Sequence, residues 1–154
     1  MIRLSQRDPR WAAKKLGASP LTIGQKGCTT TCVSMASDYF GHLMTPDQIA
    51  GHKDWYTKPG HPQGSGLIIW GQLKMPGMKY LKSDYSRNDA NIQAALADPN
   101  KIALLTVNHR AHWVLAIKYL GGGKYLVADP WTGKDVEVIS MYHQIDGAAY
   151  FGRA

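Results

Sequence analysis

The sequence predicts an α+β fold with an antiparallel sheet, and three observations lead to that prediction. Small and apolar side chains recur at roughly helical spacing from position 28 to position 40. Residues 112–120 and 124–129 are rich in strand-forming side chains and flank a run of three glycines, which indicates a β-hairpin. Predicted helices precede most of the predicted strands, an order that favours α+β over a doubly wound parallel sheet.

The first predicted helix begins at Cys28. Gly27 is expected to let the chain turn sharply before it, and Gly41 supplies a plausible stop after it. A second, short helix is predicted through Ala50, because Thr45 and Gln48 form a capping box with proline at the first helical position.

The middle of the chain alternates between predicted loops, helices and a strand. Residues 56–65 contain glycine and proline and are predicted to form a loop that borders a cleft. Residues 66–74 are predicted to form a helix with Trp70 packed inward, and Asp89 is expected to cap a helix over residues 90–97. Residues 102–107 have the composition of a buried strand.

The hairpin fixes the positions of two polar side chains at its open end. With Gly121 and Gly122 as a two-residue turn, Val114 lies opposite Asp129, and His112 and Asp129 become diagonal neighbours on one face. A loop of all three glycines would shift the register by one residue and separate these two side chains onto opposite faces. The expected proximity therefore requires the shorter turn or a compensating bulge.

Bulk properties favour one domain covering residues 1–154. The chain has 154 residues, of which 44% are hydrophobic, enough to bury a core without covalent staples. It has two cysteines, an N-terminal segment without an apolar signal core, and no run approaching the roughly 20 apolar residues needed to span a bilayer. We therefore expect a monomer without cofactors that is made as a soluble, reduced cytoplasmic protein.

The net charge of +7 suggests an anionic environment, such as a bacterial cell wall or lipopolysaccharide. An ordinary basic surface would explain the charge equally well. The lysines are dispersed and no helix-turn-helix or zinc-finger pattern accompanies them, so we do not expect specific nucleic-acid binding. Trp113 and Trp131 are candidates for the walls of a binding cleft, although core packing is the usual role of such aromatic side chains.

Cys28 is the candidate nucleophile. A thiol reacts as the thiolate, and at a helix N-terminus the unpaired N–H groups and the macrodipole favour negative charge. His112 and Asp129 would supply a base and its orienting carboxylate, with His109 as the nearest rival base. Cys32 lies one helical turn from Cys28 and is expected to be a core residue.

A metal site is not expected. His42, His52 and His61 are irregularly spaced and lack the glutamate motif of a metalloprotease. No second cysteine pair or nearby histidine completes a ligand set for Cys28 and Cys32.

Several segments together resemble the papain-like cysteine peptidases related to bacteriocin double-glycine leader peptidases, and most of all their small phage-encoded and bacterial stand-alone members. The segments cover nearly the whole chain and lie at positions 6–11, 27–35, 45–49, 66–70, 112–115, 129–133 and 148–151. The resemblance implies a papain-like fold in which an N-terminal helix carrying Cys28 packs on an antiparallel sheet. It also implies that Cys28 is the nucleophile, His112 the base and then the acid, and Asp129 the orienting carboxylate.

The sequence departs from the family pattern at the oxyanion hole. Papain-like enzymes usually have a glutamine at the position that Thr22 occupies here. Gln25 is the favoured substitute because its amide could reach across the turn before Cys28, while Thr22, Gln6 and backbone N–H groups remain open.

The resemblance implies hydrolysis of amide bonds, and four interpretations follow. The favoured one is a phage-type peptidoglycan hydrolase (endolysin) that cleaves cell-wall peptides after release through a separate pore. A leader-processing peptidase and an effector or toxin endopeptidase acting on a protein are the enzymatic alternatives. A non-catalytic cell-wall binding module is the alternative of another class.

Overall fold

The computed structural model describes residues 1–57 and 64–154. Most of the loop predicted over residues 56–65, and His61 within it, lies outside the described residues. In the described ranges the chain forms five α-helices and a six-stranded antiparallel sheet, which confirms the α+β class. The helices are α1 (Ile23–Lys26), α2 (Cys28–Tyr39), α3 (Pro46–Ala50), α4 (Asp89–Ala97) and α5 (Val138–Tyr142). The strands are β1 (Met78–Asp84), β2 (Lys101–Val107), β3 (His112–Gly121), β4 (Lys124–Asp129), β5 (Lys134–Glu137) and β6 (Ile145–Arg153).

The sheet has the strand order β1-β6-β2-β3-β4-β5, and helices cover both of its sides. On one side, α2 packs its buried residues against alternate residues of the central strands, including Leu104 and Leu115. On the other side, α4 and α5 pack against the intervening positions, including Leu105 and Val114. The alternation of side chains along each strand therefore divides the interior into two apolar cores. Within the described ranges, none of the helices has the length and apolarity that crossing a bilayer requires.

The helix α2 confirms the prediction made from the sequence. It begins at Cys28, ends at Tyr39, and is followed by Gly41 with a φ of +85°, the left-handed conformation that glycine adopts readily after a helix. Its residues 29–37 are all buried. The helix α3 is also confirmed, and the Thr45 N–H donates a hydrogen bond of 2.9 Å to Oε1 of Gln48.

Two helix predictions need correction. Residues 66–74 contain only the short 3-10 turn Trp70–Gln72, and Gly66 has a φ of +77° that helical backbone does not allow. Trp70 nevertheless packs against the core, with its ring edge-on to Phe151 at 5.4 Å between centroids. In α4 the cap is Asn88, because its side chain accepts the Asn91 N–H at 3.0 Å.

The hairpin has the predicted register at its open end but a different turn. Gly121 pairs with Lys124, so the two-residue turn is Gly122-Gly123, with φ values of +60° and +76° that suit a type I′ turn. Two irregularities in β3 compensate for this displacement, and Leu115 lies opposite Ala128. That pairing belongs to the predicted register in which Val114 faces Asp129.

Candidate active site

The backbone before Cys28 explains the glycine at position 27. Gly27 has φ −89° and ψ 23°, a conformation open to any residue, so the predicted need for backbone freedom is wrong. Glycine is needed at position 27 because there is no room for a side chain. A Cβ atom at this position would lie 2.4 Å from the carbonyl oxygen of Ile23 and 2.7 Å from its Cα. Glycine therefore allows α1 and α2 to meet closely and places Cys28 at the first position of α2.

Replacing Gly27 with alanine should destabilise the fold by about 1–3 kcal/mol, because the backbone of α1 must move to admit the methyl group. Thermal unfolding measures this as a lower midpoint. Gly71→Ala is the matched control, since its added Cβ meets no atom of the described residues within 4 Å apart from its chain neighbours. Equal midpoints for the two variants would contradict the steric explanation.

His112 and Asp129 meet at the open end of the hairpin, as the predicted register requires. His112 begins β3 and Asp129 ends β4, and the imidazole Nε2 lies 2.8 Å from Oδ1 of Asp129. Their side chains are only 12% and 2% exposed. A buried charge-assisted hydrogen bond of this length fixes the orientation of the imidazole ring.

The Cys28 thiol completes the cluster. Asp129 occupies Nε2 of His112 and so leaves Nδ1 as the other ring nitrogen, and the imidazole lies close enough to the Cys28 thiol to lower its pKa. Burial alone would raise the pKa of Cys28, but the hydrogen bond and charge of His112, the Trp113 backbone N–H and the Thr29 hydroxyl outweigh burial. The pKa of Cys28 is therefore lowered from its ordinary value, which favours the thiolate.

The pKa of His112 is raised and the pKa of Asp129 is lowered, so both shifts favour the charged forms. Burial tends to lower the pKa of His112, but hydrogen bonds to Asp129 and Cys28 and their charges raise it to about 9. Burial tends to raise the pKa of Asp129, but His112, the Tyr142 hydroxyl and the Trp131 N–H lower it. The three shifts favour the charged form of each group: a thiolate, an imidazolium and a carboxylate.

Tyr142 is a member of this cluster that the sequence did not indicate. Its hydroxyl donates a hydrogen bond to Oδ2 of Asp129, and its ring centroid lies 5.1 Å from that of His112. It ends the five-residue helix α5, thirteen positions after Asp129 in the chain. No motif marks it, and only the packing of α5 on the sheet brings it to the carboxylate.

The cluster opens into a cavity of about 260 Å³. Trp131 lines this cavity and is 43% exposed, whereas Trp113 packs against the core around α2 and is not among the lining residues. The cavity is lined by Gln6, Gln25, Lys26, Cys28, Asn108, Ala111, His112, Trp131 and Tyr142. A peptide-sized group could therefore approach the thiol.

The candidate residues for oxyanion stabilisation differ in their burial and in their hydrogen-bond partners. Gln25 and Thr22 form a reciprocal capping box on α1, in which the Thr22 N–H donates to Oε1 of Gln25 at 3.1 Å. Gln6 is 2% exposed, and its Nε2 donates to the Gly24 carbonyl at 3.2 Å. Its Oε1 has no partner among the described residues. Gln6 thus combines burial, a fixed amide and a place in the cavity wall.

Cys32 fits the expected core role. It is fully buried, and its thiol donates a 3.6 Å hydrogen bond to the Trp113 carbonyl. Burial raises the pKa of Cys32, as do the charges of Cys28 and Asp129. Cys32 and Cys28 are both free thiols, and the pKa of Cys32 is raised whereas that of Cys28 is lowered.

Over residues 1–57 and 64–154, no group of three or more histidine, cysteine or acidic side chains is arranged to hold a metal ion. Of the three histidines weighed as ligands, His52 stacks on Trp55 at 3.9 Å between ring centroids. His61 lies outside the described residues.

Comparison of the chain with protein-family models, with curated proteins and with solved structures found no match.

Proposed function

We propose that this chain is a cysteine peptidase or amidase of papain-like type that hydrolyses amide bonds through Cys28, His112 and Asp129. The observation that carries the proposal is the 2.8 Å hydrogen bond between the buried carboxylate and the imidazole, next to a cavity-wall thiol whose pKa the same imidazole lowers. This grouping supports the roles of nucleophile, base and orienting group in covalent amide hydrolysis.

The proposed reaction has two halves. The Cys28 thiolate attacks the carbonyl carbon, and His112 donates its proton to the nitrogen of the departing amine, leaving a thioester. Water then attacks the thioester while His112 accepts a proton, and the carboxylic acid leaves with the thiolate and the imidazolium restored. Asp129 holds the imidazole in one orientation throughout, and Tyr142 holds Asp129.

The tetrahedral intermediate needs hydrogen-bond donors for its oxyanion. We assign this role to Gln6 and to the backbone N–H of Cys28, which belongs to the first turn of α2 and has no acceptor within the helix. The side-chain nitrogen of Gln6 carries two N–H bonds, and the Gly24 carbonyl accepts one of them. Gln25 and Thr22 remain the alternatives.

A papain-like relationship is supported by the placement of the nucleophile on a helix that packs against an antiparallel sheet. The chain order of cysteine, histidine and aspartate agrees with it. We further propose that the substrate is the peptide portion of peptidoglycan, reached after release through a separate pore. The net charge of +7 supports this choice, because cell walls are anionic.

Digestion of purified peptidoglycan of several chemotypes tests the proposal. The wild type should release new free amines that mass spectrometry locates at one bond, and Cys28→Ala should release none. Cys32→Ala is the matched control, since it removes the inert thiol and should keep the activity. Equal release by the wild type and Cys28→Ala would overturn the mechanism, and cleavage of a protein substrate without release from any wall would overturn the substrate.

A further inference from the structure

We propose that the cavity selects a peptide bearing a carboxylate beside the scissile amide and that Lys26 and Arg7 attract this carboxylate. The inference deepens the proposed function and rests on it, since Cys28 defines where the scissile bond lies. Three features support it: a lysine in the cavity wall, an arginine held against the wall residue Trp131, and the absence of an opposing acid among the described lining residues.

Lys26 supplies the first positive charge. It ends α1, two positions before Cys28, and lines the same cavity as the thiol. The residue is exposed, and no carboxylate lies within ion-pair distance of it in the part of the chain that the structure describes. Its charge is therefore available to a bound ligand.

Arg7 supplies the second positive charge from a different segment. Its guanidinium carbon lies 4.3 Å from the centroid of the Trp131 ring, and its Nε donates a 2.8 Å hydrogen bond to the Trp131 carbonyl. These two contacts hold the planar group against a residue of the cavity wall. Among the described residues, the terminal nitrogens of Arg7 have no hydrogen-bond acceptor, and their planar geometry suits a carboxylate.

The acids near the cavity do not neutralise these cations. None of the described lining residues is aspartate or glutamate. Asp129 is buried and bonded to His112 and Tyr142, and Asp8, next to Arg7 in the chain, is paired with Arg10. A concave surface with charges of one sign concentrates the field and attracts the opposite charge. Stem peptides of peptidoglycan carry free carboxylates and so have the required chemistry.

Two alkylating reagents of nearly equal shape test the charge preference without a substrate. Iodoacetate is anionic and iodoacetamide is neutral, and both alkylate a thiolate. The ratio of their rates at Cys28, measured by mass spectrometry of the labelled peptide, reports attraction of a carboxylate to the site. We expect Lys26→Gln and Arg7→Gln each to lower this ratio by about two- to fivefold, and added salt to lower it in the wild type.

Lys79→Gln is the matched control, because it removes one cation at the opposite end of the sheet, where Lys79 pairs with Gly152. Its ratio should equal that of the wild type. An unchanged ratio in both Lys26→Gln and Arg7→Gln would overturn the inference. This includes an equal fall in the iodoacetate and iodoacetamide rates, because such a fall would mean that the substitution changes the reactivity of the thiolate. In either case rapid iodoacetamide labelling would leave the proposed function standing. Failure of iodoacetamide to label Cys28 in the wild type would end both proposals.

Discussion

Replacing His112 with alanine should lower the rate of amide hydrolysis by roughly 10³–10⁴-fold, because the variant loses both the base and the acid. It should also slow alkylation of Cys28 at neutral pH. The thiol would remain half-buried but would lose the interactions with the imidazole that lower its pKa. A rise of one pKa unit reduces the thiolate population about tenfold at a pH below the pKa. Both rates can be measured on the same preparation.

His109→Ala is the control for this variant. His109 was the rival base, and it lies in the exposed β2–β3 turn, where Nε2 of Gln144 is 3.4 Å from its Nδ1. It does not line the cavity. We expect its removal to leave both rates close to those of the wild type. Loss of hydrolysis in His109→Ala, with hydrolysis retained in His112→Ala, would show that His109 is the base and that the assignment to His112 is wrong.

Replacing Asp129 with alanine should reduce both stability and activity. The variant leaves a buried imidazolium without its partner and deprives the Tyr142 hydroxyl and the Trp131 N–H of their acceptor. Breaking a buried pair in this way costs about 3 kcal/mol of unfolding free energy. Hydrolysis should fall by roughly 10²–10⁴-fold, since the ring is no longer held in the productive orientation.

Asp135→Ala is the control for Asp129→Ala, because it removes the carboxylate of an ion pair that is more exposed. Asp135 is paired with Arg3, and both side chains are 32% exposed. An exposed pair contributes about 1 kcal/mol or less, so this variant should unfold near the wild-type midpoint in denaturant titrations. Comparable losses of stability in Asp129→Ala and Asp135→Ala would contradict the claim that breaking the buried pair costs more unfolding free energy than breaking an exposed one.

The hairpin shows how far a local pattern determines the structure. Strand composition and the glycine run predicted the two strands and the register beside His112. They did not predict which glycines form the turn, because each of the three can adopt positive φ. The irregularities in β3 that restore the register lie between Ala116 and Gly121, beyond the residues that pair with β2, and no local pattern marks their positions.

Half of the strands were not predicted, and their positions explain why. The strands β1 and β5 lie at the two edges of the sheet, and their residues are mostly half-buried or exposed, so the apolar pattern is weak. The strand β6 is central and largely buried, yet it contains Gly147 and Gly152, which lower strand propensity. Its place between β1 and β2 is a property of the tertiary fold.

The candidate site likewise contains residues whose positions the local sequence predicted and residues whose positions it did not. The proximity of His112 and Asp129 followed from strand register, and the position of Cys28 followed from the helix that it begins. Gln6 and Tyr142 come to the site through long-range packing, for example through the 2.7 Å hydrogen bond from the Gln6 N–H to the Pro130 carbonyl. The catalytic roles of Cys28, His112 and Asp129 remain predictions that the variants above test.

The central claim is that His112, held by Asp129, keeps Cys28 as a thiolate near neutral pH. The pH dependence of Cys28 alkylation by iodoacetamide, with hydrolysis measured in parallel, tests it most directly. Since the pKa of Cys28 is lowered, alkylation should persist below the ordinary thiol pKa and fail only as the pH falls through the lowered value. Hydrolysis should decline again as the pH rises through about 9, where His112 loses the proton it donates. A single titration of Cys28 at the ordinary thiol pKa, unchanged in His112→Ala, would contradict the account.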